Sequence, residues 1–169
     1  TEQPVIAVAK DEAFCFYYED NLRLLEEAGA KLQYFSPVHD TKLPDHCDGI
    51  LLGGGYPELY AKELEANREM RNAIKRAVCA GIPSVAECGG FMYLHEKLTD
   101  SKGQTYEMAG VIPEVCHYTG KLVRFGYVEI AEEKTGKTTE KDKFFLPENS
   151  VIKAHEFHYF DSTDNGASC

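Results

Sequence analysis

The chain has 169 residues, with 18 basic against 28 acidic side chains and a net charge of -10. That length fits one domain able to bury roughly two thirds of its unfolded surface without staples. An acidic balance with no basic run excludes a nucleic-acid surface, which needs clustered Lys and Arg, and argues against an anionic membrane partner. No apolar stretch approaches the ~20 residues of a spanning helix, and the N-terminus lacks a signal pattern. The six cysteines (Cys15, Cys47, Cys79, Cys88, Cys116, Cys169) are scattered without a Cys-x-x-Cys pair. They suit neither a secreted disulfide framework nor a zinc site, and read mostly as free thiols of a cytoplasmic protein. The start at Thr1 and the polar string at 161–169 read as ends cut from something longer.

In chain order, Val5–Ala9 is a short apolar run between Pro4 and Lys10 and predicts a buried strand. Asp20 or Asn21 can cap a helix with Leu22, Leu25 and Ala28 on one face, stopped by Gly29. Residues 32–35 and Gly49–Leu52 predict the second and third strands, the latter broken by Gly53, Gly54 and Gly55. A helical region over 58–80, split near Asn67, ends at Gly81; residues 84–87 form a fourth strand, and a helix runs from Gly89 to about Leu98. Strands over 122–131 and 151–160 flank a polar, lysine-rich connection at 132–150. Alternating strands and helices imply right-handed crossovers and a three-layer, doubly wound α/β fold with a mainly parallel sheet and some antiparallel strands late in the chain.

The segment Ile82-Pro-Ser-Val-Ala-Glu-Cys-Gly-Gly-Phe-Met-Tyr-Leu94 sets Cys88 between a strand and a helix, with Ala86 and Gly90 two residues to either side. This small-x-nucleophile-x-small spacing is the nucleophile elbow, with cysteine in place of serine. At a helix N-terminus, unpaired N–H groups favour the thiolate and lower its pKa, and the N–H of Gly89 is placed to hold an oxyanion. The bland alternative is a small buried apolar cysteine. The run Gly53-Gly-Gly55 after a buried strand lets a substrate approach the backbone and exposes N–H donors, the other half of an oxyanion hole. It lacks both the dinucleotide spacing and a phosphate-loop Lys. Gly136-Lys-Thr-Thr139 imitates the end of a phosphate loop, but Ala131 stands where the required glycine would be.

Glu12-Ala-Phe-Cys-Phe-Tyr-Tyr18 with Asp20-Asn-Leu22, Leu52-Gly-Gly-Gly-Tyr-Pro-Glu-Leu59, Ala86-Glu-Cys-Gly-Gly90 with Met92-Tyr-Leu94, Phe125-Gly-Tyr-Val128 and His155-Glu-Phe-His-Tyr159 occur in that order. Together they resemble the C-terminal class I glutamine amidotransferase domain of the cobyrinic acid a,c-diamide synthase family, over nearly the whole chain. The nickel-sirohydrochlorin a,c-diamide synthases are similar. The resemblance implies a domain over 1–169, truncated at its C-terminus, that hydrolyses glutamine through a thioester on Cys88. Its ammonia would serve an ATP-dependent synthetase domain, absent here, that amidates the a and c carboxylates of a corrinoid or related tetrapyrrole. ATP and Mg²⁺ are expected on that domain and no cofactor on this one.

The run Gly53-Gly-Gly55 matches the family's oxyanion segment, Gly53, Gly54 and Gly89 are the expected oxyanion or substrate-binding residues, and Gly54 and Gly89 are the expected donors. The family's catalytic histidine lies in a Tyr-x-His context beyond the His-Glu-Phe-His-Tyr segment, and no histidine follows His158 here. His155, Glu156 and His158 are therefore candidates for lining the site or for replacing that base, with the two histidines on opposite faces of a strand. Glu87, next to the nucleophile, is a further candidate for lining the site and reads as buried and paired. Phe14, Phe16, Tyr17 and Tyr18 read as core or interdomain contacts, and His39, His46, His95 and His117 lack metal-ligand spacing. Two other classes stay open: a thiol-based redox protein using Cys88, and a non-catalytic docking module for a synthetase.

Overall fold

A computed structural model describes residues 3–131 and 150–163. The phosphate-loop look-alike at 136–139, the connection at 132–149 and Cys169 lie outside the described residues. The chain forms two compact units, Thr1–Tyr118 with Asp161–Cys169, and Thr119–Phe160.

The first unit is built on a parallel sheet of order β2-β1-β3-β4, comprising β1 (Val5–Ala9), β2 (Lys31–Phe35), β3 (Gly49–Leu52) and β4 (Ser84–Ala86). The unbroken apolar run of β1 makes it a central strand, and Ala7, Val8 and Ala9 are fully buried. In register, Ala7 stands between Gln33 of β2 and Ile50 of β3, and Leu52 pairs with Ala86 of β4. The winding reverses between β1 and β3. Right-handed crossovers then put α1 (Glu19–Glu27), which joins β1 to β2, on the face opposite α2 (Ala61–Ala66) and α3 (Arg68–Cys79), which join β3 to β4. This is the doubly wound α/β arrangement, and the carboxyl ends of β1 and β3 flank the switch point where such sheets bind ligands.

Local sequence accounts for most element ends. Gly29, at φ 99°, stops α1 in the left-handed conformation. The Asn67 side chain accepts from the Met70 N–H at 3.3 Å and so starts α3 afresh after α2. The expected cap of α1 is corrected. The helix begins at Glu19 with Tyr18 as an N-cap that makes no side-chain bond, so Glu19 and Asp20 act through their charge in the first turn instead.

The helix after Cys88 is shorter than its pattern implied. It is α4 (Gly89–Leu94), and from His95 the chain continues as strand β5 (His95–Thr99). The reason is pairing rather than burial period: Met92, Tyr93, Leu94 and His95 are all buried, and from His95 the backbone pairs in a second sheet, with a register shift between His95 and Lys97. Strands β6 (Thr105–Glu107) and β7 (Ile112–Tyr118), unassigned from sequence, join β5 and the late strand β10 (Phe160–Ser162) in a second sheet of order β10-β7-β5-β6, with β5 parallel to β7 and antiparallel to β6.

The second unit carries an antiparallel pair, β8 (Arg124–Ala131) and β9 (Val151–His158), in register from Arg124 opposite His158 to Ala131 opposite Val151. The single strand expected over 151–160 divides at Tyr159, and Phe160–Ser162 is the separate strand β10.

Candidate active site

Cys88 lies between the end of β4 and the start of α4, as its spacing predicts, with φ 48° and ψ -110°. Among the described non-glycine residues only His46 shares a positive φ. The turn needs its small neighbours. A Cβ on Gly90 would overlap the carbonyl oxygen of Leu52 on the adjacent strand. The Gly90 N–H donates to the carbonyls of Glu87 (2.8 Å) and Gly53 (3.0 Å), tying the elbow to the glycine run.

That run, 53–55, is fully buried and interlocks with the loop after β1. Phe16 N–H donates to Gly54 O (3.0 Å) and Tyr56 N–H to Ala13 O (2.9 Å). The loop is itself held by Asp11, whose carboxylate accepts from Ala13 and Phe14 N–H on one oxygen and from Ser36 Oγ and Val38 N–H on the other. Tyr17 completes the lock. Its ring fills the space where a Cβ of Gly53 would stand, 2.5 Å from ring atoms. Its hydroxyl accepts from the Gly53 N–H at 2.8 Å and donates to the Ala9 carbonyl. Burial pushes the Tyr17 pKa up to about 12, so the phenol keeps the proton it gives to Ala9. Tyr17 reads from sequence only as a contact residue; the site-shaping role comes from the hydroxyl's two partners.

Gly53 thus has its N–H engaged by Tyr17 and its carbonyl by Gly90. The backbone N–H groups that favour the Cys88 thiolate are those of Gly89 and Gly55. Gly54 lies alongside, where an added Cβ would be 3.7 Å from the Cys88 Cβ. Gly55 carries no distinguishing signal in a run of three glycines; only the turn of the loop selects it.

Electrostatics reverse one expectation. Cys88 is exposed as a residue, yet its thiol pKa is raised: burial of the sulfur is the largest cause, the Gly89 and Gly55 N–H groups oppose it, and Glu58 and Glu87 add to it. A six-residue helix and two N–H groups do not outweigh desolvation and two nearby carboxylates. Glu58, on the 3-10 turn Pro57–Leu59, is half-buried with its own pKa raised by burial. Glu87 is exposed, which corrects the buried and paired placement expected for it. Phe14 is buried against Tyr93, whereas Phe16 and Tyr18 are exposed. Cys15, Cys47 and Cys116 are also free thiols, and Cys79 is disulfide-bonded.

His155, Glu156 and His158 stand on β9 in the second unit. His155 is exposed while Glu156 and His158 are half-buried, so the two histidines do face opposite ways. Glu156 Oε1 is 4.0 Å from His158 Nε2 and 3.9 Å from Arg124 Nη1. Among the described residues no group of three or more His, Cys, Asp or Glu could hold a metal, and no helix is long and apolar enough to cross a membrane.

Residues 5–168 match the model of the CobB/CobQ-like glutamine amidotransferase domain. Among curated proteins, cobyrinate a,c-diamide synthase of Dehalococcoides mccartyi is 44% identical over 154 residues, 91% of this chain and 32% of that protein. The synthases of Methanosarcina acetivorans and Salmonella typhimurium are each 46% identical over 93% and 92% of the chain. The chain thus spans about a third of the length of these relatives, 32% in each case. Among solved structures, PurLQS from Thermotoga maritima superposes with a TM-score of 0.60 at 19% identity, over 94% of this chain and 68% of that one. A second, described as a glutamine amidotransferase, gives 0.51 at 13% identity over 73% and 62%; both likenesses speak for the fold. With an elbow cysteine beside a locked glycine run, and a family match over nearly its whole length, this chain belongs to the CobB/CobQ-like glutamine amidotransferase domains.

Proposed function

We propose that the chain hydrolyses glutamine through a thioester on Cys88 and supplies ammonia to an ATP-dependent synthetase that amidates the a and c carboxylates of cobyrinic acid. The observation that carries this reading is the elbow itself: Cys88 stands at φ 48° at the start of α4 with Gly90 bonded to Gly53, and the Gly55 and Gly89 N–H groups favour its thiolate. Sulfur attacks the side-chain carbonyl carbon, the C–N bond breaks as the nitrogen takes up a proton and leaves as ammonia, and water then cleaves the thioester to glutamate. During both tetrahedral stages two preorganised N–H donors offset the oxyanion charge, with Gly55 and Gly89 in that role and Gly53 and Gly54 shaping the loop. The raised thiol pKa means that attack requires a proton acceptor. Glu58 and Glu87 press the thiol's pKa upward; Glu87, His155, Glu156 and His158 are this chain's candidates for accepting the proton or lining the site.

The synthetase, its ATP and Mg²⁺, and the tetrapyrrole belong to the same reading, supported by the names of the curated relatives and by the third of their length that this chain matches.

The test is mass spectrometry after incubation with 6-diazo-5-oxo-norleucine, a glutamine analogue that alkylates a reactive cysteine. One adduct on Cys88, blocked by excess glutamine, is the expected result. No adduct on a folded chain whose Cys88 still reacts with iodoacetamide would overturn the reading.

A further inference from the structure

Substrate has to be recognised as well as attacked, and Glu58, next to the elbow, so far only opposes the thiolate. Pro57 packs directly on the elbow: a Cβ on Gly89 would lie 2.8 Å from its Cδ. Cys88 precedes one member of that contact and Glu58 follows the other, so the two residues are brought close to one another. Its charge is felt by the thiols of both Cys88 and Cys116. Glu58 is half-buried, and the group that favours its ionised form is its own backbone N–H. Among the described residues no Lys, Arg or His forms an ion pair with it.

A partly desolvated carboxylate without a cation is unfavourable, and next to a nucleophilic sulfur it is doubly so, because it disfavours the thiolate. Both costs vanish together when a positive charge arrives with the substrate. Free glutamine carries one: its α-ammonium group, a few bonds from the carbonyl carbon that sulfur attacks. We propose that the Glu58 carboxylate receives the α-ammonium group of glutamine, making Glu58 a specificity-determining residue for a free amino acid. Glutamine then neutralises Glu58 on binding and removes part of the barrier to its own attack. A peptide-bound or N-acylated glutamine brings no such charge and loses both benefits.

This inference rests on the glutaminase reading, and the test separates the two. Alkylation of Cys88 is followed in wild type and Glu58→Gln with 6-diazo-5-oxo-norleucine, which carries an α-ammonium group, and with iodoacetamide, which is neutral. In Glu58→Gln the rate with the first reagent is expected to fall about tenfold or more, the worth of a charge-assisted hydrogen bond. The rate with iodoacetamide at neutral pH holds or rises, because a charge opposing the thiolate is gone. Glutamine should lose its protection of Cys88 in the variant by a similar factor, while N-acetylglutamine protects both forms equally weakly. Equal rates with the diazo reagent in the two proteins would overturn the role of Glu58. So would a parallel loss with both reagents, which would mark Glu58 as a fold or proton-transfer residue. If wild type itself shows no diazo adduct, the failure lies with the glutaminase reading instead.

Discussion

Tyr17→Phe is the most informative single change, because it removes one oxygen and leaves the ring that stands against Gly53 in place. The lost hydroxyl accepts the Gly53 N–H at 2.8 Å and donates to Ala9 O, and both glycine and alanine are buried. Two buried backbone groups are then left without partners, at roughly 1–3 kcal/mol each; allowing for relaxation and water entry at a half-buried ring, the loss should be about 2–4 kcal/mol. Equilibrium unfolding in urea measures it. With a slope of roughly 2 kcal/mol/M, the midpoint should fall by about 1–2 M at unchanged slope. The same variant should alkylate more slowly at Cys88 with the glutamine analogue, since Gly53 holds the elbow through Gly90. A destabilisation below about 0.5 kcal/mol, typical of an uninvolved surface change, would refute the reasoning that this hydroxyl locks the glycine loop.

Cys88 itself should be a strained position. At φ 48° and ψ -110° a side chain costs about 1–3 kcal/mol, and Cys88→Gly should recover about 1 kcal/mol after glycine's own entropic cost, whereas Cys88→Ala recovers none. Thermal unfolding should place the Gly variant roughly 2–4 °C above the Ala variant, both unreactive; equal midpoints would show an unstrained elbow. His95 provides a pH dependence. It is fully buried, with Nδ1 2.9 Å from Phe91 O and Nε2 2.6 Å from Ser162 Oγ, and burial holds its pKa below the ordinary 6.5. Above pH 6.5 both folded and unfolded forms are neutral; below it the unfolded chain takes the proton first, so stability falls until the lowered folded pKa is passed. Unfolding at pH 7.5 and 5.5 should show a smaller loss for His95→Gln than for wild type, and an equal loss would remove His95 as the cause.

Much of this protein is legible in its residues taken alone. The apolar run of β1, the glycines at 29 and 81 and the break at Asn67 each act through local backbone preference, so they mark their elements without reference to the rest of the chain. The elbow is legible for the same reason: a nucleophile between Ala86 and Gly90 at a strand-to-helix junction states its own steric requirement. Periodicity failed where a neighbour decided the matter. Leu94 and Leu98 stand four apart, a spacing that suits a helix, and pairing with β6 and β7 selects the strand instead.

Sequence by itself determined the fold class, the family and the position of the cysteine, because close-packed turns and buried strands constrain residue type one position at a time. Only the tertiary structure decided how that cysteine behaves. A dipole argument along the chain predicts a lowered thiol pKa; the folded protein sets burial, Glu58 and Glu87 against two N–H groups, and the thiol's pKa goes up. Likewise, three consecutive glycines are equivalent as letters. Tyr17, 36 residues from Gly53 in the chain, engages the first, and the N–H of the third favours the Cys88 thiolate. Desolvation and donor direction are sums over neighbours distant in sequence, so they exist only once the chain has folded.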